Sequence, residues 1–202
     1  RKYRIHILLS LVMLLFGQIA ADSVIAEIVR GPYLSDVTRT SIVISWETRE
    51  ASNSVVEYAT DIQYAVSGGA YDQRAEDPNG VKRHSITLRN LIPSTLYHYR
   101  VLSGSDVGED NTFHTAVEWF EPFTLAVYGD TRTNPNDHLA VVNRMIEHEP
   151  DLVLNSGDLV ADGNVLSQWD VFFDTAKDLM RNVPYYPALG NHENNAQNYY
   201  DL

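Results

Sequence analysis

Leu125-Ala-Val-Tyr-Gly-Asp130 is a short apolar run that ends in glycine and an oxygen donor. The pattern returns twice, in Leu152-Val-Leu-Asn-Ser-Gly-Asp158 and in Tyr186-Pro-Ala-Leu-Gly-Asn-His-Glu193. Short apolar runs read as strands buried on both faces, the mark of a parallel sheet. Glycine at the strand end allows a sharp turn and close approach of other groups. Three strands should therefore deliver Asp130, Asp158 and Asn191 to one edge of a sheet. In open α/β sheets, sites form at that carboxyl edge.

The segments between the three runs read as helices. Asn134 and Pro135 mark a helix start, with Asn134 as N-cap and Asp137 near the positive end. This helix should run to about Glu149, where Pro150 stops it, with Leu139, Val142 and Ile146 facing the sheet. A second helix spans about 165–181. Leu166, Trp169, Phe173, Ala176 and Met180 share its apolar face, widened by Phe172 and Leu179. The order is β-α-β-α-β, which implies a parallel sheet with right-handed crossovers.

Upstream the period changes to two. Ile42, Ile44 and Trp46 alternate with smaller groups, as do Val55 to Tyr58, His84 to Leu88 and Tyr97 to Val101, with a last run at 111–115. Turn signals separate these runs, at Gly31-Pro32, Ser67-Gly-Gly69, Asp77-Pro-Asn-Gly80 and Ser103-Gly104. Short alternating strands with turns between them predict an all-β sandwich over 27–116. The segment 91–101 resembles the fibronectin type III pattern. Tyr97 takes the corner role, bonding back to upstream backbone, and Trp46 the core position. His84, His98 and His114 lie on separate strands without metal-ligand spacing and read as ordinary strand histidines. Residues 117–122 form the linker, and 123–202 the second domain.

The chain has 202 residues, no cysteine and a net charge of −12. Absence of cysteine excludes disulfides, zinc–thiolate sites and cysteine nucleophiles. Such an acidic balance gives no electrostatic case for nucleic-acid binding. Arg1, Lys2 and Arg4 precede an apolar run from Ile5 to Phe16 and the small residues Gly17, Ala20 and Ala21, the plan of a signal peptide over 1–26. That run falls short of the roughly 20 residues of a membrane span. The expectation is an exported protein, periplasmic or extracellular, without a stable membrane span after cleavage. Oligomeric state leaves no trace in the sequence.

A carboxylate between two metal ions bridges them about 3.5–4 Å apart. Asp158 is the expected bridge, with Asp130 on one ion and Asn191 on the other. His192 is placed to stabilise a leaving oxygen as the catalytic imidazole. The planar fork of Arg132 suits phosphate oxygens of a substrate. Gly-Asp130, Gly-Asp158-Leu-Val and Gly-Asn191-His192-Glu193, in this order, resemble the calcineurin-like metallophosphoesterase superfamily. The preceding sandwich makes the chain similar to the purple acid phosphatase branch. The resemblance implies hydrolysis of a phosphate ester by a metal-bound hydroxide, with two ions drawn from iron, manganese and zinc.

Two positions depart from that pattern. Many members carry Asp-x-His in the first motif, where this chain has Arg132. The purple enzymes carry tyrosine three residues after the second aspartate, where this chain has Ala161, so no purple colour is expected. His138 is a poor substitute ligand, because it falls in the first turn of a helix. The superfamily also supplies histidines after the Asn-His motif, which this sequence ends before. The 202 residues alone are expected to bind metal poorly and to show little activity. The alternative reading is a catalytically impaired binding or adhesion protein. A phosphodiester in place of a monoester is a further option for the substrate.

Overall fold

The computed structural model describes residues 26–201. All but the last residue of the expected signal segment lies outside that range. Six strands build the first domain: β1 (Ile28–Ser35), β2 (Ser41–Thr60), β3 (Gln73–Arg89), β4 (Leu96–Ser103), β5 (Asp106–Val107) and β6 (Asn111–His114). A short helix, α1 (Asp61–Val66), follows β2. All pairings are antiparallel, with β2 at the centre. Its first half lies between β1 and the end of β3. Its second half, Val55 to Thr60, lies between the start of β3 and β4.

Two expected strands, around Ile42 and around Val55, are therefore one strand of 20 residues. The turn signal Asp77-Pro-Asn-Gly80 lies inside β3 for the same reason. Ser52 pairs with Val81 and Ser54 with Asp77, so three residues of β3 oppose one of β2. The local turn does form, since the Asp77 carboxylate accepts the Asn79 N–H at 3.0 Å. It is taken up as a bulge that bends the ladder without ending it. Gly31-Pro32 likewise sits in a register shift of β1. A Cβ at Gly31 would stand 2.9 Å from the Ser45 carbonyl oxygen.

Ile42, Ile44 and Trp46 from one half of β2, with Val56 and Tyr58 from the other, join Tyr97, Tyr99, Val101 and Phe113 in one buried cluster. The two halves thus face each other as a sandwich, in accord with the alternation. Tyr97 fills the corner role: its hydroxyl accepts the Ile92 N–H at 2.9 Å. Trp46 stacks on His84 at 4.8 Å and donates to the Ser103 hydroxyl. Buried His84 is bolted between Thr48 and Ser54, 2.8 Å from each hydroxyl. Burial lowers its pKa, so the ring is a neutral core group.

The second domain alternates as expected: β7 (Leu125–Tyr128), α2 (Pro135–Ile146), β8 (Leu152–Asn155), α3 (Leu166–Met180), β9 (Tyr185–Pro187) and α4 (Gln197–Asp201). The strands are parallel in the order β7-β8-β9. Both long helices cover one sheet face. Val142, Trp169, Phe172, Ala176 and Leu179 pack there with Val153 and Tyr185. On the other face Leu125, Val127 and Leu154 are exposed.

The buried side of α2 differs from expectation. Leu139 and Ile146 point outward, while His138 and Val142 are buried and Met145 is partly covered. A partner for the imidazole decides the rotation, because the Tyr128 hydroxyl lies 3.2 Å from His138 Nε2. Asn134 occupies the N-cap position in a left-handed conformation. Its side chain bonds Asp137, and its carbonyl accepts the Asp137 and His138 N–H groups instead.

Helix α3 fastens the second domain to the first. Arg30 of β1 bonds Glu47 and Asp170, each at 2.6 Å, and Tyr33 packs on Phe173. The Tyr99 hydroxyl donates to the Arg181 carbonyl at 2.6 Å. The Asn182 side chain accepts the Thr112 N–H. These ties fix the base on which the strand ends stand.

Candidate active site

Asp130 and Asp158 each follow a glycine at the end of β7 and β8, and both hold a φ of 56°. The left-handed region is strained for a residue with a Cβ, and such strain gathers at functional turns. The turn continues the sheet past its last ladder pair. The Asp130 N–H donates to the Gly157 carbonyl at 3.0 Å, and Ser156 N–H to the Tyr128 carbonyl at 2.8 Å. Gly157 has a φ of 104°, and a Cβ there would meet the Gly190 nitrogen at 2.7 Å. A Cβ on Gly190 would stand 2.2 Å from the Asp158 nitrogen. Glycine at both places is what lets the second and third strand ends touch.

A carboxylate locks that contact. Glu193 has no exposed surface. Its Oε1 accepts from the N–H groups of Leu159 (2.8 Å) and Val160 (3.2 Å). Its Oε2 accepts from Gly190 (2.6 Å) and Asp158 (3.1 Å). One side chain of the third motif thus satisfies three consecutive amides of the second. Four donors also explain how a buried carboxylate is tolerated there.

Above this clamp the functional groups gather. Asp158 Oδ1 accepts the backbone N–H of His192 at 3.1 Å, and Oδ2 accepts from Arg132 Nη1 at 2.9 Å. The same Nη1 also bonds Asp130 Oδ1. The imidazole of His192 is oriented through Nδ1, 3.0 Å from the Ala161 carbonyl. A carbonyl only accepts, so Nδ1 carries the proton and Nε2 is the atom free to exchange one. Asn191 is exposed in the same turn, and its carbonyl accepts the Asn194 N–H at 3.3 Å. A cleft of about 620 Å³ opens beside Asp130, lined by Gly129, Thr131, Thr133 and Asn134.

Asp130, Asp158, Arg132 and His192 are thus joined in one hydrogen-bonded group. Asn191 borders it without a side-chain bond to either aspartate. Arg132 lies against the two carboxylates that were expected to bind metal. His138 is turned away from them into the core.

Beneath the strand ends runs a polar chain that sequence reasoning missed. Asn155 Nδ2 donates to the Tyr185 hydroxyl at 2.8 Å, which lies 2.8 Å from the Tyr128 hydroxyl, which in turn reaches His138. Asn155 Oδ1 accepts the Gly157 N–H at 2.8 Å. Burial pulls the His138 pKa down to about 4, so its neutral Nε2 accepts from Tyr128. Burial also raises Tyr185 well above the ordinary tyrosine value and raises Tyr128, so both remain protonated donors. Glu193 and Asn155 were both visible beside the motifs. Only their distant partners reveal the roles. Tyr199 and Tyr200 pack and bond locally, to the Pro187 carbonyl and to Asn195.

Residues 32–124 match the family "Purple acid Phosphatase, N-terminal domain", and residues 123–202 match "Calcineurin-like phosphoesterase". The second domain is thus of the calcineurin-like phosphoesterase type. The sheet-rich first domain is of the purple acid phosphatase type. Among solved structures the chain is similar to PhoD, with a TM-score of 0.67 at 13% identity, over 84% of this chain and 40% of that one. It is also similar to the purple acid phosphatase PPD1 from yellow lupin (Lupinus luteus) seeds. There the TM-score is 0.63 at 18% identity, over 80% of this chain and 35% of that one. At such identities the likeness is one of fold. The chain spans well under half the length of either relative. No curated protein matches it.

The family is typically metal-dependent, and the donor set can be tested against that. An ion shared by Asp130 and Asp158 would need the place that Arg132 Nη1 fills. No group of three or more histidine, aspartate or glutamate side chains is arranged to hold a metal among the described residues. As placed, these residues do not fit a two-ion centre.

Proposed function

We propose that this chain carries the first half of the site of an exported phosphoesterase, which hydrolyses phosphate esters in the parent protein. The supporting observation is the convergence of three strand ends on one group made of Asp130, Asp158, Arg132 and His192. Ester hydrolysis places a water oxygen on phosphorus and breaks the bond to the leaving oxygen, which must gain a proton. His192 is held through Nδ1, and its imidazolium form would carry on Nε2 the proton that the leaving oxygen takes, returning the ring to the neutral Nδ1–H form. Two donors of Arg132 are engaged with carboxylates, and the rest of its fork suits phosphoryl oxygens. Two ions of iron, manganese or zinc remain what the resemblance implies for the parent. The proton transfer by His192 and the phosphoryl contact by Arg132 belong to the side chains alone. The acidic charge of the chain supports a small ester over a long polyanion.

The second reading, a binding protein impaired in catalysis, draws on one observation. A guanidinium fills the space between the two aspartates. Assay of the parent protein with manganese or zinc on p-nitrophenyl phosphate and its bis-ester separates the two. Hydrolysis that falls at least about a hundredfold in Asp158→Ala supports the phosphoesterase, as expected when the carboxylate that positions Arg132 and the His192 turn is lost. A folded parent that hydrolyses neither ester refutes it. The segment expected to be a signal peptide is tested by N-terminal sequencing of secreted protein, with cleavage expected after Ala21 or Ala26.

A further inference from the structure

We propose that Arg132 is the resident cation of this site, standing where Asp130 and Asp158 would otherwise share a divalent ion, so that the site takes one ion fewer than its carboxylates imply. This deepens the phosphoesterase reading and concerns the same strand ends.

The geometry is that of a cation position. Two carboxylates delivered by different strands converge on one atom, Arg132 Nη1. The guanidinium is charged at every working pH and has donors only, so it cannot act as a metal ligand. It can only compete with an ion for the same oxygens. Asp158 is well committed to the arrangement. Its side chain is 13% exposed, one oxygen holds the His192 N–H, and the other holds Arg132. Asp130 holds a φ of 56°, and Arg132, two residues on, bonds back to its carboxylate. An ion entering between the aspartates must therefore break two charge-assisted bonds and expel a positive charge. The other oxygen of Asp158 accepts a neutral backbone N–H, from His192, and not a charged group.

Calorimetric titration of the 202-residue chain with manganese tests this, with no need for turnover. Arg132→Gln should bind manganese at least about tenfold tighter than wild type, or take up an additional equivalent, because the competing charge lies within a few ångström. The gain should vanish in the Asp130→Asn/Arg132→Gln double variant. Arg132→Lys keeps the charge and should stay near wild type. Near-UV circular dichroism checks that each variant is folded. Equal manganese binding by wild type and Arg132→Gln, including none by either, overturns the proposal. A gain that survives loss of Asp130 overturns it as well, since it reports long-range charge and not occupancy of the gap. Hydrolysis by the parent without any gain in Arg132→Gln removes the arginine assignment alone. A gain without hydrolysis by the parent removes the phosphoesterase reading alone.

Discussion

Replacing Glu193 by glutamine changes one atom of the clamp between the second and third motifs. Each carboxylate oxygen accepts two backbone N–H groups, at 2.8 and 3.2 Å on one and at 2.6 and 3.1 Å on the other. The amide keeps one acceptor oxygen and turns an NH₂ toward the other pair of donors. Two buried N–H groups lose their partner, at about 1–3 kcal/mol each. The retained pair drops from charge-assisted to neutral bonds, which are roughly half as strong. A loss of about 3–5 kcal/mol follows, a large share of the roughly 5–15 kcal/mol that holds an ordinary domain. In a protein of this size, each kcal/mol lowers Tm by about 2–4 °C. Thermal and urea unfolding measure the total. Amide exchange at Asp158, Leu159, Val160 and Gly190 reports the clamp itself and should accelerate by more than about tenfold in Glu193→Gln. A variant within about 0.5 kcal/mol of wild type, with those amides equally protected, would refute the clamp.

Acid should weaken the second domain through His138, whose folded pKa is about 4 against the ordinary 6.5. The unfolded chain then binds the extra proton, so stability is full above 6.5 and lost as pH falls toward 4. Between pH 7 and pH 5 the loss is about 2 kcal/mol. Urea melts should show it in wild type and not in His138→Gln. A histidine ring that titrates above about 6 by NMR would contradict the buried chain. Gly157→Ala combines a φ of 104° with a contact at 2.7 Å, and should cost at least about 2–3 kcal/mol by urea unfolding. Gly68→Ala, with open space around it, should cost only the strain of its φ of 75°, about 1–2 kcal/mol. Tyr97→Phe removes the acceptor of the Ile92 N–H and should lower sandwich stability by about 1 kcal/mol in the same assay.

What was legible in the sequence is what local chemistry decides. A short apolar run closed by glycine needs no partner to be read, and β7, β8 and β9 stand where those runs placed them. Alternation likewise exposed the faces of the sandwich, down to Trp46 and the corner at Tyr97. The misses share one cause, a distant partner that overrides a local signal. Asp77-Pro-Asn-Gly80 is a sound turn, but the two halves of β2 continue on its other side and absorb it as a bulge. Leu139 and Ile146 have the better hydrophobic claim to the buried side of α2, yet Tyr128 offers His138 a bond that neither can make.

The site shows the same division more sharply. Asp130, Asp158, Asn191 and His192 stand out in the sequence because each ends or follows a strand. Glu193 is next in line and looks like a loop residue, since nothing beside it shows that amides more than 30 positions upstream lack an acceptor. Arg132 suggests a substrate contact because a free fork suits phosphate. One nitrogen of that fork is also engaged by the first two strand ends, which only the folded chain brings within its reach. A strand-end aspartate identifies a place where a cation belongs, and the residue two positions later decides whether that cation comes from solution or from the chain. A histidine there would add a ligand, whereas this arginine adds the charge itself. Metal occupancy in the Arg132 variants therefore measures that choice directly.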